Sequence, residues 1–348
     1  MGNSNNTYNA EICATGILMS KDHWLIFALC VKVVLCILGV VILPIVLIKE
    51  KLSALFHRNA RCIFRCHICF VIVGAFGTVV NDGLDLLRMT AFKWWSSNAT
   101  CPVFPMSSNV AVPLRLIKIF GMSGIVHAFV ACVLERIYAT LIAQTYEWVN
   151  DKIGVILSVM TVLTTAGCCL VIGLFSDKNM LMPMTVIPPS GLKYSLMVLY
   201  VDGYLELFIV IVFGVLWTLN YCRGRTNNHI QNSLSFKFQT QENVAATSLF
   251  FPLAVLHAIF QISTSVIMPL FLFAETDQVK RTRLVGLLEL GPFYNFALPV
   301  VMLWRIRAKQ RKIDRLMASN LIGKFSTGRS DADKLKRKHF EMLENMFK

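Results

Sequence analysis

Leu134-Glu135-Arg136-Ile137-Tyr138-Ala139-Thr140 closes an apolar run that starts at Ile117. An ionised arginine is costly in hydrocarbon and cheap at its edge, so Glu135-Arg136 is expected to mark one face of a membrane. The residues before it are apolar enough to cross a bilayer as helix, which takes about 20 residues over roughly 30 Å. The rest of the chain has the same character. Of its 348 residues, 55% are hydrophobic and 16% charged, and the mean hydropathy is +0.60, values that exclude a soluble two-domain protein of this length.

Unbroken apolar runs, and not ten-residue alternations, exclude a membrane barrel and leave helices as the spanning elements. Seven can be drawn, at 24–48, 63–80, 117–140, 153–175, 195–219, 244–273 and 285–304. The second has room to continue to Leu87. The expected fold is therefore an all-α membrane protein, a seven-transmembrane helix bundle at 24–304. An N-terminal segment at 1–23 precedes it and a basic tail at 305–348 completes the chain. No basic stretch precedes an apolar core in the first 20 residues, so the first span is expected to serve as the insertion signal.

An odd number of spans puts the termini on opposite sides, and the cationic residues choose between the two orientations. On one side lie 23 of the 34 Lys and Arg, thirteen of them after Trp304, and ten lie on the other, with Lys32 inside the first span. The N-terminus is expected outside. The sequons at Asn5 and Asn98 fall on that same side and are candidate glycosylation sites. The net charge of +14 is thus explained by a cytoplasmic tail facing anionic lipid, with no nucleic-acid partner implied. Ile306, Ile313, Leu316 and Met317 approximate one face of a helix along that surface. A simply solvated tail reads equally well.

Glu135-Arg136 with Ala139-Thr140, and then Tyr146-Glu147, resembles the Glu-Arg-x-x-Ala-Thr and Tyr-Glu elements at the inner end of the third helix in nematode serpentine chemoreceptors. The later run Leu234-Ser235-Phe236-Lys237-Phe238-Gln239, with Glu242-Asn243-Val244, is most like class e of that group. The resemblance implies a plasma-membrane, multi-pass receptor coupled to a heterotrimeric G protein. In it the Glu135-Arg136 pair, with Tyr138 beside it, would be closed at rest and released on activation. Asn295 and Pro299 only loosely resemble the Asn-Pro-x-x-Tyr motif of rhodopsin-like receptors, which argues against that family's detailed switch.

Most of the eleven cysteines fall inside spans as small apolar side chains. Only Cys13 and Cys101 are clearly placed in an oxidising compartment, where they are candidates to pair with each other, to pair between chains or to remain free. Cys62, Cys66 and Cys69 lie on one helix entering lipid, with His57 and His67 nearby, and this is not the turn-borne spacing of a structural zinc site. No metal or other cofactor is implied. Serine-hydrolase, zinc-protease and phosphate-loop motifs are absent, since Gly323-Lys324 precedes Phe325, so nothing in the sequence asks for an enzyme.

Ionisable residues inside spans require partners or a water-filled cavity. They are Lys32, Lys118, His127, Asp202, Glu206, His257 and Glu289. Lys118 and Glu289 are expected near the rim, and Lys32, Asp202 and Glu206 deeper in the outer half. Asp202 and Glu206 are four apart on one helical face, addressing either a ligand or a charge relay to Lys32 or Lys118. The candidate pocket residues are Lys118, His127, Asp202, Glu206, His257 and Glu289. The expected function is recognition of a small-molecule cue from outside and activation of a G protein inside. A transporter using the same charges, or an accessory membrane protein without a ligand, is the alternative; the lack of an inverted repeat weighs against the transporter.

Overall fold

The computed structural model of the chain describes residues 2–49, 57–91, 101, 103–142, 146, 152–226, 234–275, 277–326 and 341. Among them, seven helices have the length and hydropathy to cross a membrane: His23–Leu47, Arg58–Met89, Ser108–Leu141, Lys152–Leu174, Pro189–Cys222, Glu242–Phe271 and Val279–Arg305. These are the first to seventh spans, and the chain is a multi-pass membrane protein with the seven-helix bundle fold. Helix α1 (Gly2–Ser20) precedes them. The spans are carried by α2 (His23–Lys49), α3 (Arg58–Met89), α4 (Ser108–Leu141), α5 (Lys152–Leu174), α6 (Pro189–Thr226) and α7 (Leu234–Ile262). A π turn (Ser263–Ile267) and α8 (Met268–Ala274) continue the sixth, and α9 (Gln278–Leu288) with α10 (Gly291–Ser326) makes the seventh.

The third span is the axis of the bundle. Within its most apolar stretch 72% of residues are buried by protein, against 22% in the fourth span, which presents Val155, Val159, Leu163 and Leu170 outward. Its centrality comes from small residues that allow close approach. A methyl group on Gly121 would stand 2.2 Å from the Cα of Gly74, and one on Gly77 would stand 2.6 Å from the backbone nitrogen of Lys118. Without a hydrophobic drive between helices in lipid, such backbone proximity is what gives dispersion its reach. Ile125, Phe129, Phe213, Phe250, Leu253, Tyr294 and Leu298 fill the core around this axis.

Three features of the chain add to the expectation. The second span does continue past Val80, to Met89 and so two residues beyond Leu87, which brings Asp82, Asp85 and Arg88 into the bundle. The seventh begins at Val279 and is interrupted at Glu289–Leu290. Irregular backbone at membrane depth must be satisfied by protein. Here the interruption docks on the π turn: Leu290 N donates to Thr264 Oγ1 at 3.2 Å, and Ser263 Oγ donates to the carbonyl of Leu288 at 3.1 Å. Finally, most of segment 1–23 is helical; Cys13 in this helix is disulfide-bonded to Cys101, the pairing for which the two were candidates.

At the end of the bundle where the first span starts, a two-stranded antiparallel ladder pairs β1 (Met106–Ser107) with β2 (Leu181–Met182), Met106 facing Met182. Asp85 anchors the loop after β2, accepting from Thr185 N at 2.9 Å and from the Thr185 hydroxyl, and it pairs with Arg88 at 3.0 Å. Arg88 in turn donates to the carbonyl of Phe104. Two intramembrane charges thus fasten the loops over this end, the amino-terminal face of the bundle. Residues 327–340 and 342–348 of the basic tail, Asn98, Glu147 and the side chain of Asn5 lie outside the described residues.

Candidate functional site

A cavity of about 720 Å³ lies beneath the amino-terminal face, lined by the third, fifth, sixth and seventh spans and covered by α1 and by residues 180–187. Of the residues expected to form a pocket, Lys118, Asp202 and Glu289 line it. His127, Glu206 and His257 do not. Arg115, Ser123 and Gln261 line it as well. Their sequence signal was weak, because Arg115 falls two residues before the apolar run at 117 and uncharged polar residues are common in spans.

One wall is an ion cluster drawn from four spans. Lys118 Nζ lies 2.9 Å from both carboxylate oxygens of Asp82 and 2.8 Å from Glu289 Oε2. Lys32 Nζ reaches Glu289 Oε2 at 3.1 Å and Asp82 at 3.9 Å, and Arg115 Nη2 reaches Glu289 Oε1 at 3.1 Å. Three cations therefore share two carboxylates. The expected relay from Asp202 and Glu206 to Lys32 or Lys118 does not form, because Glu289 and Asp82, the latter in the outer part of the long second span, take both lysines. Lys32 and Lys118 consequently lie at one depth, not at rim and mid-bundle.

Asp202 and Glu206 do share a helical face, yet one turn of about 6 Å gives them different neighbours. Asp202 faces the cavity with His127 Nε2 3.6 Å away, and His127 Nδ1 is 2.9 Å from Thr165 Oγ1. Glu206 lies below the cavity with its Oε1 2.6 Å from His257 Nδ1. The His257 ring meets Tyr294 edge-on at 4.5 Å between centroids, and the Tyr294 hydroxyl lies 3.1 Å from His67 Nε2. A polar layer joining the second, fifth, sixth and seventh spans therefore runs under the cavity. His67 belongs to it and not to a cysteine cluster.

At the opposite end, Glu135 and Arg136 form a two-pronged pair, Nε to Oε2 at 2.5 Å and Nη2 to Oε1 at 2.5 Å. Arg136 Nη1 also lies 3.1 Å from Asn243 Oδ1, and Asn243 Nδ2 donates to the carbonyl of Ala139 at 3.1 Å. The Tyr146 hydroxyl donates to Glu135 Oε1. Burial, and then the adjacent Glu135 carboxylate, push the Tyr146 phenol well above its ordinary range, so it remains a donor. Asn59 connects this knot to the neighbouring helices, its Nδ2 3.5 Å from the Tyr146 hydroxyl and its Oδ1 accepting from Gly154 N at 3.0 Å.

Two expectations about this end are corrected. Arg136 is not at a water boundary, since it is 1% exposed and closed in by the third and sixth spans and Tyr146. Tyr138 joins the knot only through a ring-edge contact with Tyr146, 6.3 Å between centroids. It points outward at 38% exposure, because residue 138 falls on a different face of the helix from 135, 136 and 139. Tyr146, eleven residues beyond Glu135, supplies the aromatic hydroxyl instead.

The chain is similar to serpentine receptor class beta-16 of Caenorhabditis elegans, 22% identical over 230 residues that cover 60% of this chain and 66% of that protein. It is also similar to serpentine receptor class alpha-10 of the same organism, 22% identical over 179 residues that cover 51% of this chain and 52% of that protein. The chain thus spans about half to two thirds of the length of these curated relatives. The family model described as serpentine type 7TM GPCR receptor class ab chemoreceptor matches residues 10–327, replacing the class e suggested by residues 234–244, and the chain belongs to that family.

Proposed function

We propose that this chain is a plasma-membrane receptor that binds a small molecule in the cavity under the amino-terminal face and activates a heterotrimeric G protein at the opposite end. The observation that carries the reading is the separation of two built sites along one bundle axis. A charged and apolar cavity lies at one end, and the buried Glu135–Arg136–Asn243–Tyr146 knot at the other. The third and sixth spans contribute to both. A ligand that favours one arrangement of these spans shifts the equilibrium at the far end by its differential affinity for the two arrangements.

The polar layer of Glu206, His257, Tyr294 and His67 supports such coupling, because it lies between the two sites and joins helices that border the cavity. The interrupted seventh span and the π turn add a place where backbone can rearrange without leaving groups unpaired in lipid. In this orientation the N-terminus, the Cys13–Cys101 bond and the candidate glycan sites Asn5 and Asn98 are outside, and the basic tail is inside.

The test is a second-messenger readout in a heterologous cell exposed to a broad panel of small molecules. Leu199→Trp, which fills the cavity, serves as the control for site. A response abolished by Leu199→Trp at unchanged surface level is expected. A response indifferent to that substitution would sink the assignment of the cavity, and substrate-dependent uptake with no messenger change would favour a transporter.

A further inference from the structure

We propose that the ligand taken by this cavity is a small organic ammonium on an apolar body, its N–H donors seated on Ser123, Asp202 and Gln261. The inference rests on the reading of the cavity as the ligand site. These three side chains come from the third, fifth and sixth spans, line the cavity, and are each at most 3% exposed. Asp202 Oδ1 and Gln261 Oε1 make no hydrogen bond among the described residues, and Ser123 Oγ, beside the Asp202 carboxyl, makes none of ordinary geometry. Buried polar atoms are nearly always paired, and leaving one unpaired costs about 1–3 kcal/mol, so three in side chains that line one cavity mark a place built to receive something.

The charged member of this group is Asp202, whose carboxylate oxygens only accept; the Gln261 amide oxygen also accepts, while Gln261 Nε2 and the Ser123 hydroxyl have hydrogens to give. The neighbouring histidine does not supply the missing donor. Thr165 Oγ1 gives its hydrogen to the carbonyl of Thr161 at 2.8 Å, so toward His127 Nδ1 it can only accept, which puts the imidazole proton on Nδ1. The neutral ring then turns its bare Nε2 toward Asp202 Oδ1 at 3.6 Å, beyond hydrogen-bond reach and without a proton to offer. A primary ammonium brings three N–H donors and a positive charge to this group, and its bonds to the carboxylate are charge-assisted.

The ion cluster decides against a simple acid. Lys118 Nζ makes three contacts, with both oxygens of Asp82 and with Glu289, which matches its three N–H groups. Arg115 and Lys32 are held by Glu289. A ligand carboxylate would have to displace carboxylates already paired there, whereas an ammonium at Asp202 displaces no protein partner. Met122, Leu199, Met268 and Val285 supply apolar lining, and a volume of about 720 Å³ suits a ligand of drug-like size or smaller.

Thermal unfolding of the detergent-purified receptor with 2-phenylethylammonium, phenylacetate and 2-phenylethanol, matched in size and differing in head group, tests this. The ammonium alone is expected to raise the midpoint. The shift should vanish in Asp202→Asn and in Leu199→Trp and weaken about tenfold in apparent affinity in Gln261→Leu, with Ser123→Ala as a further variant should Asp202→Asn fold poorly. Stabilisation by phenylacetate or phenylethanol without the ammonium, still abolished by Leu199→Trp, overturns the ammonium proposal and leaves the cavity reading standing. An ammonium shift that survives Leu199→Trp puts binding elsewhere and overturns both. No shift with any of the three overturns the ammonium proposal, while a messenger response blocked by Leu199→Trp would keep the cavity.

Discussion

Arg136 Nη1 and Asn243 Oδ1 stand 3.1 Å apart across the third and sixth spans, at a point where the arginine is 1% exposed. Substituting the arginine therefore strands a buried carboxylate. Removing one partner of a buried pair costs ~3–5 kcal/mol, so Arg136→Ala is expected to lower surface level and thermal stability strongly, with Tyr146 left as the partner of Glu135. Asn243→Ala removes one bond to a charged group and should cost about 1–3 kcal/mol while reaching the surface. Wild-type stability for Arg136→Ala in detergent would contradict the buried pair.

The ion cluster makes a second, quantitative expectation. Lys118→Met leaves Asp82 and Glu289 to Lys32 and Arg115, and Asp82→Asn leaves Lys118 to Glu289 alone. Because Lys118 and Asp82 touch at 2.9 Å, the double substitution should be less damaging than the sum of the two by about 0.5–3 kcal/mol. Strict additivity in a double-mutant cycle of unfolding midpoints would mean the two do not interact.

Close approach at Gly121 is open to a clean contrast. Gly121→Leu drives a side chain into Gly74, whose Cα lies 2.2 Å from where the first methyl would stand, and overpacking of this kind costs about 1–3 kcal/mol or more. At Gly167 in the fourth span nothing lies within 4 Å of the added carbon, so Gly167→Leu should change stability by no more than about 0.5 kcal/mol. Equal effects of the two would remove the third span from its place against the second.

The Cys13–Cys101 bond joins residues 88 apart in sequence, and its loss in Cys101→Ser should cost about 2–5 kcal/mol. Peptide mapping of surface protein alkylated without reductant should recover the two peptides linked; recovery of both as free thiols would exclude the pairing. The same preparation tests orientation, since a tag before Tyr8 should stain on intact cells and one after Phe347 only after permeabilisation.

Seven spans were readable from residues alone because spanning is a local property: each backbone group must be paired within its own helix, and about 20 apolar residues must be contiguous. The same locality made Glu135-Arg136 stand out and put Lys118, Asp202 and Glu289 among the candidates. The sequence also determined that Asp202 and Glu206 share a face. What it could not determine was which charge meets which, since that depends on the rotation of each helix about its axis and on how closely backbones approach. Asp82 and Lys118 lie 36 residues apart and Lys118 and Glu289 lie 171 apart, and their meeting depends on glycines at 77 and 121 that let the second and third spans touch. Only tertiary packing turned Arg136 from a boundary residue into a buried one, directed Tyr138 outward and Tyr146 inward, and brought Ser123, Asp202 and Gln261 to line one cavity, because helix rotation, unlike helix formation, is set by neighbours far away in the chain.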